Sequence, residues 1–374
     1  MAKTYTICDT QTGTPLSPVF PSANGWGRQM NTIGAEKSST FDLSATENAG
    51  IGYKDLTKID WSRTLVTSEN GIVRDARIIT DVDLDRDTQR LTVNHSPFRL
   101  ILTNRYPFGV PSYWANEAAH DPGVFSVINR EYRTIASYAL IYGTTGPFSN
   151  YSLPIVMPPD VAGTHSLTIG NWNLQTVDKV LTTLQTSSGG PDVDLEPRWS
   201  STGTLEYLAR VGTDAAPALT AEMYEFHMNA DTPGLTKVRK RTDGRKLVTG
   251  VFTIGAGSER DMIVAGIGLG VTTTGPALDV DQPGKNVVNL ADAASQSTSA
   301  LTKNRYPEEQ WDFQLVADGD PLQDLSNARI GAIIRLHFAG DFWEPDGYQD
   351  LRIIGLDGDM TNIITPKLQP IVAS

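Results

Sequence analysis

Apolar and polar residues alternate along much of this chain with the period of two that belongs to strands. Leu205, Tyr207, Ala209 and Val211 interleave with Thr204, Glu206, Leu208 and Arg210, the pattern of a strand with one face against a core. Arg77, Ile78, Ile79 and Thr80 lead into the polar run Asp85-Arg86-Asp87-Thr88, and Arg90-Leu91-Thr92-Val93-Asn94 follows, which predicts a hairpin. Residues 5–9, 246–254, 330–338 and 351–356 read as further strands. The 33 glycines and 22 prolines are spread over the whole length and break the chain into short runs, as strands require. Helical spacing is confined to two places. Ile128, Tyr132, Ile135, Ala136, Ala139 and Leu140 share one face of a helix predicted over 126–141 and closed by Gly143. Val177, Val180, Leu181 and Leu184 mark a second, N-capped by Asn173 or Thr176 and closed by Ser187-Ser188-Gly189-Gly190. Residues 107–124 and 272–302 show neither period and read as long loops.

With both helices in the middle and strands on either side, the pattern predicts a mainly β chain with a small α+β insertion. The expected domains are a β-barrel over 1–103, a mixed insertion over 104–197, and a second, discontinuous β-barrel over 198–257 and 311–374. Residues 258–310, Gly-rich and then rich in Ala, Ser and Thr, are expected to form an extended excursion reaching a neighbouring subunit. Closing each sheet into a barrel removes the free edges that a protein in a dense assembly must not leave open.

Composition narrows the function. The chain has 374 residues, 39% hydrophobic and 20% charged, as ordinary globular proteins do. No apolar run reaches the roughly eighteen residues of a membrane span. Met1-Ala2-Lys3-Thr4-Tyr5 lacks the charged and apolar regions of a secretory signal, so the protein is expected to be made in the cytosol. The net charge of −12 and pI of about 4.9 oppose non-specific binding to nucleic acid. The densest basic run is Lys237-Val238-Arg239-Lys240-Arg241, followed by Arg245 and Lys246; it reads as a solvated hairpin tip or a surface for an acidic partner. Cys8 is the only cysteine, which excludes an internal disulfide and a multi-thiolate metal site.

Candidate chemistry is thin. His95, His120, His165, His227 and His337 show no metal-ligand spacing. Gly255-Ala256-Gly257-Ser258-Glu259 lacks the last glycine of a nucleophile elbow, and no helical pattern follows Gly266, Gly268 and Gly270. Cys8 falls within a strand and reads as packing. Asp81, Asp83, Asp85 and Asp87 recur at every second position, but a calcium loop starting at Asp81 needs glycine where Arg86 stands and glutamate where Thr92 stands. Asp192, Asp194 and Glu196 repeat that spacing and are the one place where a glycosidase pair of carboxylates could hide. The reading adopted is that no residue is catalytic, cofactor-binding or metal-ligating.

Several segments together resemble a known family. They are Ser22-Ala23-Asn24-Gly25-Trp26-Gly27-Arg28-Gln29-Met30-Asn31; Trp61 to Val66 with Glu69 to Arg74 and Arg77-Ile78-Ile79; Ser188-Gly189-Gly190-Pro191-Asp192-Val193-Asp194-Leu195-Glu196-Pro197-Arg198-Trp199 with Leu205 to Gly212; and, near the end, Pro345 to Tyr348, Arg352 to Leu356 and Asp359-Met360-Thr361. They resemble the minor tail proteins of long-tailed phages (siphoviruses) of actinobacteria, which are similar to the trimeric baseplate hub proteins of contractile tails. The resemblance implies a virion structural protein at the tail tip, a homotrimer in which each subunit places two related β-barrel hub domains in a ring. Six similar faces would let a threefold tip dock on a sixfold tube. It also implies contact with the distal tail protein, the tape-measure protein and other tip proteins, with DNA only as transient cargo through the channel. The acidic charge suits such a channel and equally suits mere solubility. Two rivals differ in class: a receptor- or cell-wall-glycan-binding tail protein using the aromatic residues between Phe108 and Trp114, and a tail-associated hydrolase. Residues 107–123 match no family pattern.

Overall fold

Ile7 and Cys8 are neighbours in sequence and both fully buried, so the strand that carries them is covered on both faces. That strand belongs to a computed structural model that describes residues 3–108, 124–145, 152–187, 189–230, 235–269, 276–283, 287, 289–316 and 328–371. Strands take up 46% of the described residues, which makes the fold mainly β with few helices and one sheet curled into a half-barrel. Two compact units are distinct: Met1–Lys237 with Phe313–Ser374, and Val238–Asp312.

The first unit begins with β1 (Lys3–Asp9), β2 (Pro15–Val19), β3 (Ala23–Asn24), β4 (Trp26–Gln29) and β5 (Lys37–Asp42). A short helix, α1 (Tyr53–Leu56), precedes β6 (Arg63–Glu69), β7 (Ile72–Asp85) and β8 (Arg90–Pro97). Seven of these strands form one sheet in the order β2-β1-β6-β7-β8-β5-β3. One face buries Ile7, Leu65 and Ile79 with Phe41, Leu91 and Val93. The other buries Cys8, Val66 and Ile78 against the middle of the chain. The expected hairpin is β7–β8, and Asp85 ties its turn by accepting from the amides of Asp87 (2.9 Å) and Thr88 (3.2 Å).

The middle segment supplies β9 (Val124–Arg130), α2 (Tyr132–Thr145), β10 (Ile155–Val156), β11 (His165–Gly170), α3 (Val177–Thr186), β12 (Val193–Trp199) and β13 (Leu205–Val211). α3 matches expectation: Thr176 Oγ1 accepts from the Lys179 amide, and Val177, Val180, Leu181 and Leu184 are buried. α2 starts later than the predicted 126–141. Phe125 and Val127 alternate into the core and pair with Ile169 and Leu167 of β11, so Ile128 sits exposed on a strand and not on a helical face. Gly143 lies inside α2 and does not close it; a Cβ there would stand 2.4 Å from Val177 Cγ2, so the glycine lets α3 approach. The strand predicted at 205–211 is β13, strictly alternating, and it pairs with β12. The limit expected between 197 and 198 therefore falls inside a strand of this hairpin.

The chain continues with β14 (Met223–His227) and β15 (Leu235–Asp243), which runs on into the second unit, and, from the last residues of that unit onward, with β19 (Glu308–Val316), β20 (Ile333–Phe338), β21 (Gly347–Gly358) and β22 (Ile363–Pro370). They form the sheet β14-β20-β21-β22-β19-β15, and β4 also pairs with β21.

The second unit contains β16 (Gly250–Ile254), β17 (Val264–Gly268), β18 (Asp279–Pro283) and α4 (Leu290–Asn304). β16 pairs with β17 and β18, so the limit expected between 257 and 258 falls between two paired strands. The stretch 272–302, expected to be a loop, contains β18 and most of α4. Asn289 caps α4 by accepting from the Asp292 amide (2.8 Å), and Ala293, Ser297 and Leu301 face the sheet. Ser297 Oγ bonds Thr253 Oγ1 (2.8 Å) and the Ala265 carbonyl (2.9 Å). A helix that buries Ala and Ser where others bury Leu carries little apolar signal.

Candidate functional site

Four of the segments that carry the family resemblance meet where β4, β12, β13 and β21 come together. Trp26 to Gln29 pair with Gly358 to Gly355, and Trp26 Nε1 donates to the Asp359 carbonyl at 3.1 Å. Trp26 is buried against Gly358, where a Cβ would fall 2.4 Å from the indole. Gly358→Ala must push the ring aside, and we expect a loss of about 1–3 kcal/mol, read as a lower thermal midpoint.

Beyond β4 the chain turns at Asn31, which takes a left-handed φ of 63°. Asn31 Nδ2 donates to Asp192 Oδ1 (2.6 Å), and Asn31 Oδ1 accepts from the Val193 amide (2.8 Å). The second oxygen of Asp192 accepts from Arg352 Nη1 (2.6 Å) and the Leu219 amide (3.0 Å). Asp194 Oδ2 lies 3.5 Å from Arg28 Nη2 and 3.4 Å from Arg210 Nη1. Glu196 is forked by Arg329, whose Nε donates at 2.9 Å, and it also faces Arg28 and Arg210. Burial pushes the Asp194 carboxyl above its ordinary range, against the pull of Arg28 and Arg210. Burial also pushes Glu196 upward, but the Arg329 hydrogen bond and the charges of Arg28 and Arg210 outweigh it and hold that carboxyl low.

These are the three carboxylates that raised the possibility of glycosidase chemistry. A glycosidase acid must reach substrate, whereas Asp194 is 3% exposed and Asp192 has both oxygens engaged. The cluster ties strands together. The first acidic row is different in kind: Asp81, Asp83 and Asp85 run along the solvated end of β7, where Asp81 accepts from Asn94 Nδ2 at 2.8 Å and Asp85 caps the turn.

The remaining sequence candidates are dispersed. Cys8 is buried, and burial pushes its thiol up to about 12. His165 stacks on Tyr132 at 3.7 Å and faces Asp214; His227 stacks on His337 at 4.7 Å; His120 lies outside the described residues. No group of three or more His, Cys, Asp or Glu suited to a metal ion occurs among the described residues. Gly266 and Gly268 lie on β17, and Gly270 is outside the described residues. Ser258 precedes a single 3₁₀ turn at Glu259–Asp261. The basic run lies on β15. Of the aromatic stretch 108–114 only Phe108 is described; it is buried and stacks on Tyr106 at 5.7 Å.

Sequence reading missed a buried polar centre under β4. Arg77 is 1% exposed. Its Nε donates to the His95 carbonyl (3.2 Å), its Nη1 to the Gly27 carbonyl and its Nη2 to the Ala35 carbonyl. Asp75 Oδ2 lies 3.3 Å from Arg77 Nη1 and accepts from the Gly27 amide at 2.7 Å. The only advance signal was Arg77 standing before two isoleucines. Beside it His95 Nε2 contacts Ser39 Oγ at 2.9 Å, and Ser39 donates to Asn24 Oδ1 at 2.7 Å. Burial, then the charge of Arg77, lowers the imidazole from its ordinary 6.5 to about 3. The unfolded chain takes up this proton as pH falls through 6.5 while the folded chain refuses it. The stability that neutral His95 contributes is therefore fully present above pH 6.5 and is lost as pH falls from 6.5 toward about 3. Urea midpoints measured from pH 7 to 4 should show a fall that His95→Gln reduces by up to about 1.4 kcal/mol per pH unit.

No family model matches the chain, and no curated protein matches it in sequence. Its fold, however, is similar to those of two solved tail proteins. The 43 kDa tail protein of prophage MuSo2 from Shewanella oneidensis is similar with a TM-score of 0.61 at 12% identity, over 98% of this chain and 98% of that one. The tail protein from Neisseria meningitidis MC58 is similar with a TM-score of 0.56 at 13% identity, over 98% of this chain and 96% of that one.

Proposed function

We propose that this chain is a structural hub subunit of a phage tail tip. It assembles as a homotrimer, joins the tail tube to distal tip proteins, and forms part of the channel through which DNA leaves. The observation that carries this reading is the fold similarity to the MuSo2 tail protein over 98% of both chains, a match of the whole architecture and not of one module. The large N-terminal sheet and the C-terminal sheet are the two hub domains of this proposal. The carboxylates that a hydrolase would need are instead paired with arginines, which supports a non-enzymatic role. Antibody labelling of purified virions in negative stain tests the location. Label at the distal end of the tube supports the hub; label on peripheral fibres overturns it in favour of receptor binding. Zymography of the pure chain on host cell wall tests the chemistry, and a lysis band would exclude a purely structural role.

A further inference from the structure

The hairpin joining β20 to β21 ends in a tip, residues 339–346, that holds two large rings in water. Phe342 is 96% exposed and Trp343 is 76% exposed. The tip is built to hold them there. Asp341 Oδ1 accepts from the amides of Trp343 (2.9 Å) and Glu344 (2.8 Å), Asp346 Oδ1 accepts from the Gly340 amide (2.6 Å), and Asn229 Nδ2 donates to the Ala339 carbonyl. Two exposed rings on an ordered turn mark an interaction surface. Their surroundings specify its chemistry: Asp341, Glu344 and Asp346 share the tip, and no basic residue does.

A guanidinium suits such a surface, because its planar fork matches a carboxylate and its face stacks on an aromatic ring. The chain already uses this combination. Arg335 forks Asp350 at 2.7 and 2.8 Å and lies 4.2 Å from the centroid of the Tyr348 ring. An arginine-bearing surface is also present. β15 is an edge strand on which Lys237, Arg239 and Arg241 are exposed, with Val238 and Lys240 half-buried between them. In a chain of net charge −12, this is the densest basic run.

We propose that the acidic, aromatic tip of one copy docks on the basic strand β15 of a second copy, with Arg239 and Arg241 stacking on Trp343 and Phe342 and pairing with the tip carboxylates. This inference rests on the homotrimer reading and names its contact. A cyclic trimer needs two different surfaces that recognise each other, not one self-complementary patch, and the tip and β15 are such a pair.

Sedimentation velocity on the full chain over a concentration series tests it. The wild type should self-associate. Phe342→Ser with Trp343→Ser, and separately Arg239→Glu with Arg241→Glu, should weaken association about 10- to 100-fold with circular dichroism unchanged. Glu344→Arg combined with Arg241→Glu should regain part of the loss of either single change. Under mild oxidation, Trp343→Cys mixed with Arg239→Cys should form disulfide-linked pairs, since native Cys8 is buried. A wild type that stays monomeric throughout overturns the proposal, as do variants that associate like the wild type. Neither result touches the hub reading, which stands or falls on symmetry and location in assembled tails.

Discussion

Replacing Arg77 with methionine is expected to cost about 3–5 kcal/mol of stability, a large share of the roughly 5–15 kcal/mol that holds a typical domain folded. The side chain is of similar length, so the loss is electrostatic. Three carbonyls, on Gly27, Ala35 and His95, lose the arginine donor, and Asp75 keeps its charge in the interior with the Gly27 and Ala76 amides as its hydrogen-bond donors among the described residues. Removing one member of a buried pair costs more than the pair contributes, because the other charge stays desolvated. Arg77→Lys should recover part of the loss, since an ammonium restores charge but cannot reach three carbonyls with one planar fork. Urea unfolding followed by tryptophan fluorescence measures this. A loss under about 1 kcal/mol for the methionine variant would mean that Arg77 does not hold β4 to the sheet.

The second large effect belongs to the junction of β4, β12, β13 and β21. Arg210→Met should cost about 2–4 kcal/mol, less than a fully buried pair because Arg210 keeps some solvent. It leaves Asp194 with Arg28 as its one ion-pair partner within 4 Å among the described residues and removes a 2.8 Å hydrogen bond to the Ile330 carbonyl. Arg329→Met should cost under about 1 kcal/mol, although Arg329 makes the shorter contact with Glu196, because its side chain is 43% exposed and water replaces much of what is lost. The ranking is informative. A hydrolase site would show the reverse pattern, with substitutions at Asp194 or Glu196 removing activity and leaving stability intact. Here Asp194→Asn should lower the urea midpoint and remove no hydrolytic activity.

Elements with a strong local period are legible in the sequence. β13 alternates without a break, the β7–β8 hairpin carries its own turn chemistry at Asp85, and α3 has both a cap at Thr176 and an apolar stripe. Three features lie outside that reach. α2 begins later than its pattern predicts because Ile128 fits a helical stripe as well as a strand, and only pairing with β11 decides between them. α4 escapes a reading by period because its inner face is Ala293, Ser297 and Leu301, and small or polar residues read as loop when the sheet they cover is unknown. The buried ion clusters are invisible as clusters. Arg28, Asp194 and Arg352 are far apart along the chain, and the charges of Asp192, Asp194 and Glu196 look the same whether they line a cleft or tie strands. The family resemblance does mark these segments, though without the physical reason that the structure supplies: they touch.

The central claim is tested most directly by cryo-electron microscopy of assembled tails. The account predicts density for this chain as a threefold ring at the distal end of the tail tube, with its two large sheets repeated around the axis to give six similar faces toward the tube. Density on peripheral fibres, or a ring of any symmetry other than threefold, would contradict it.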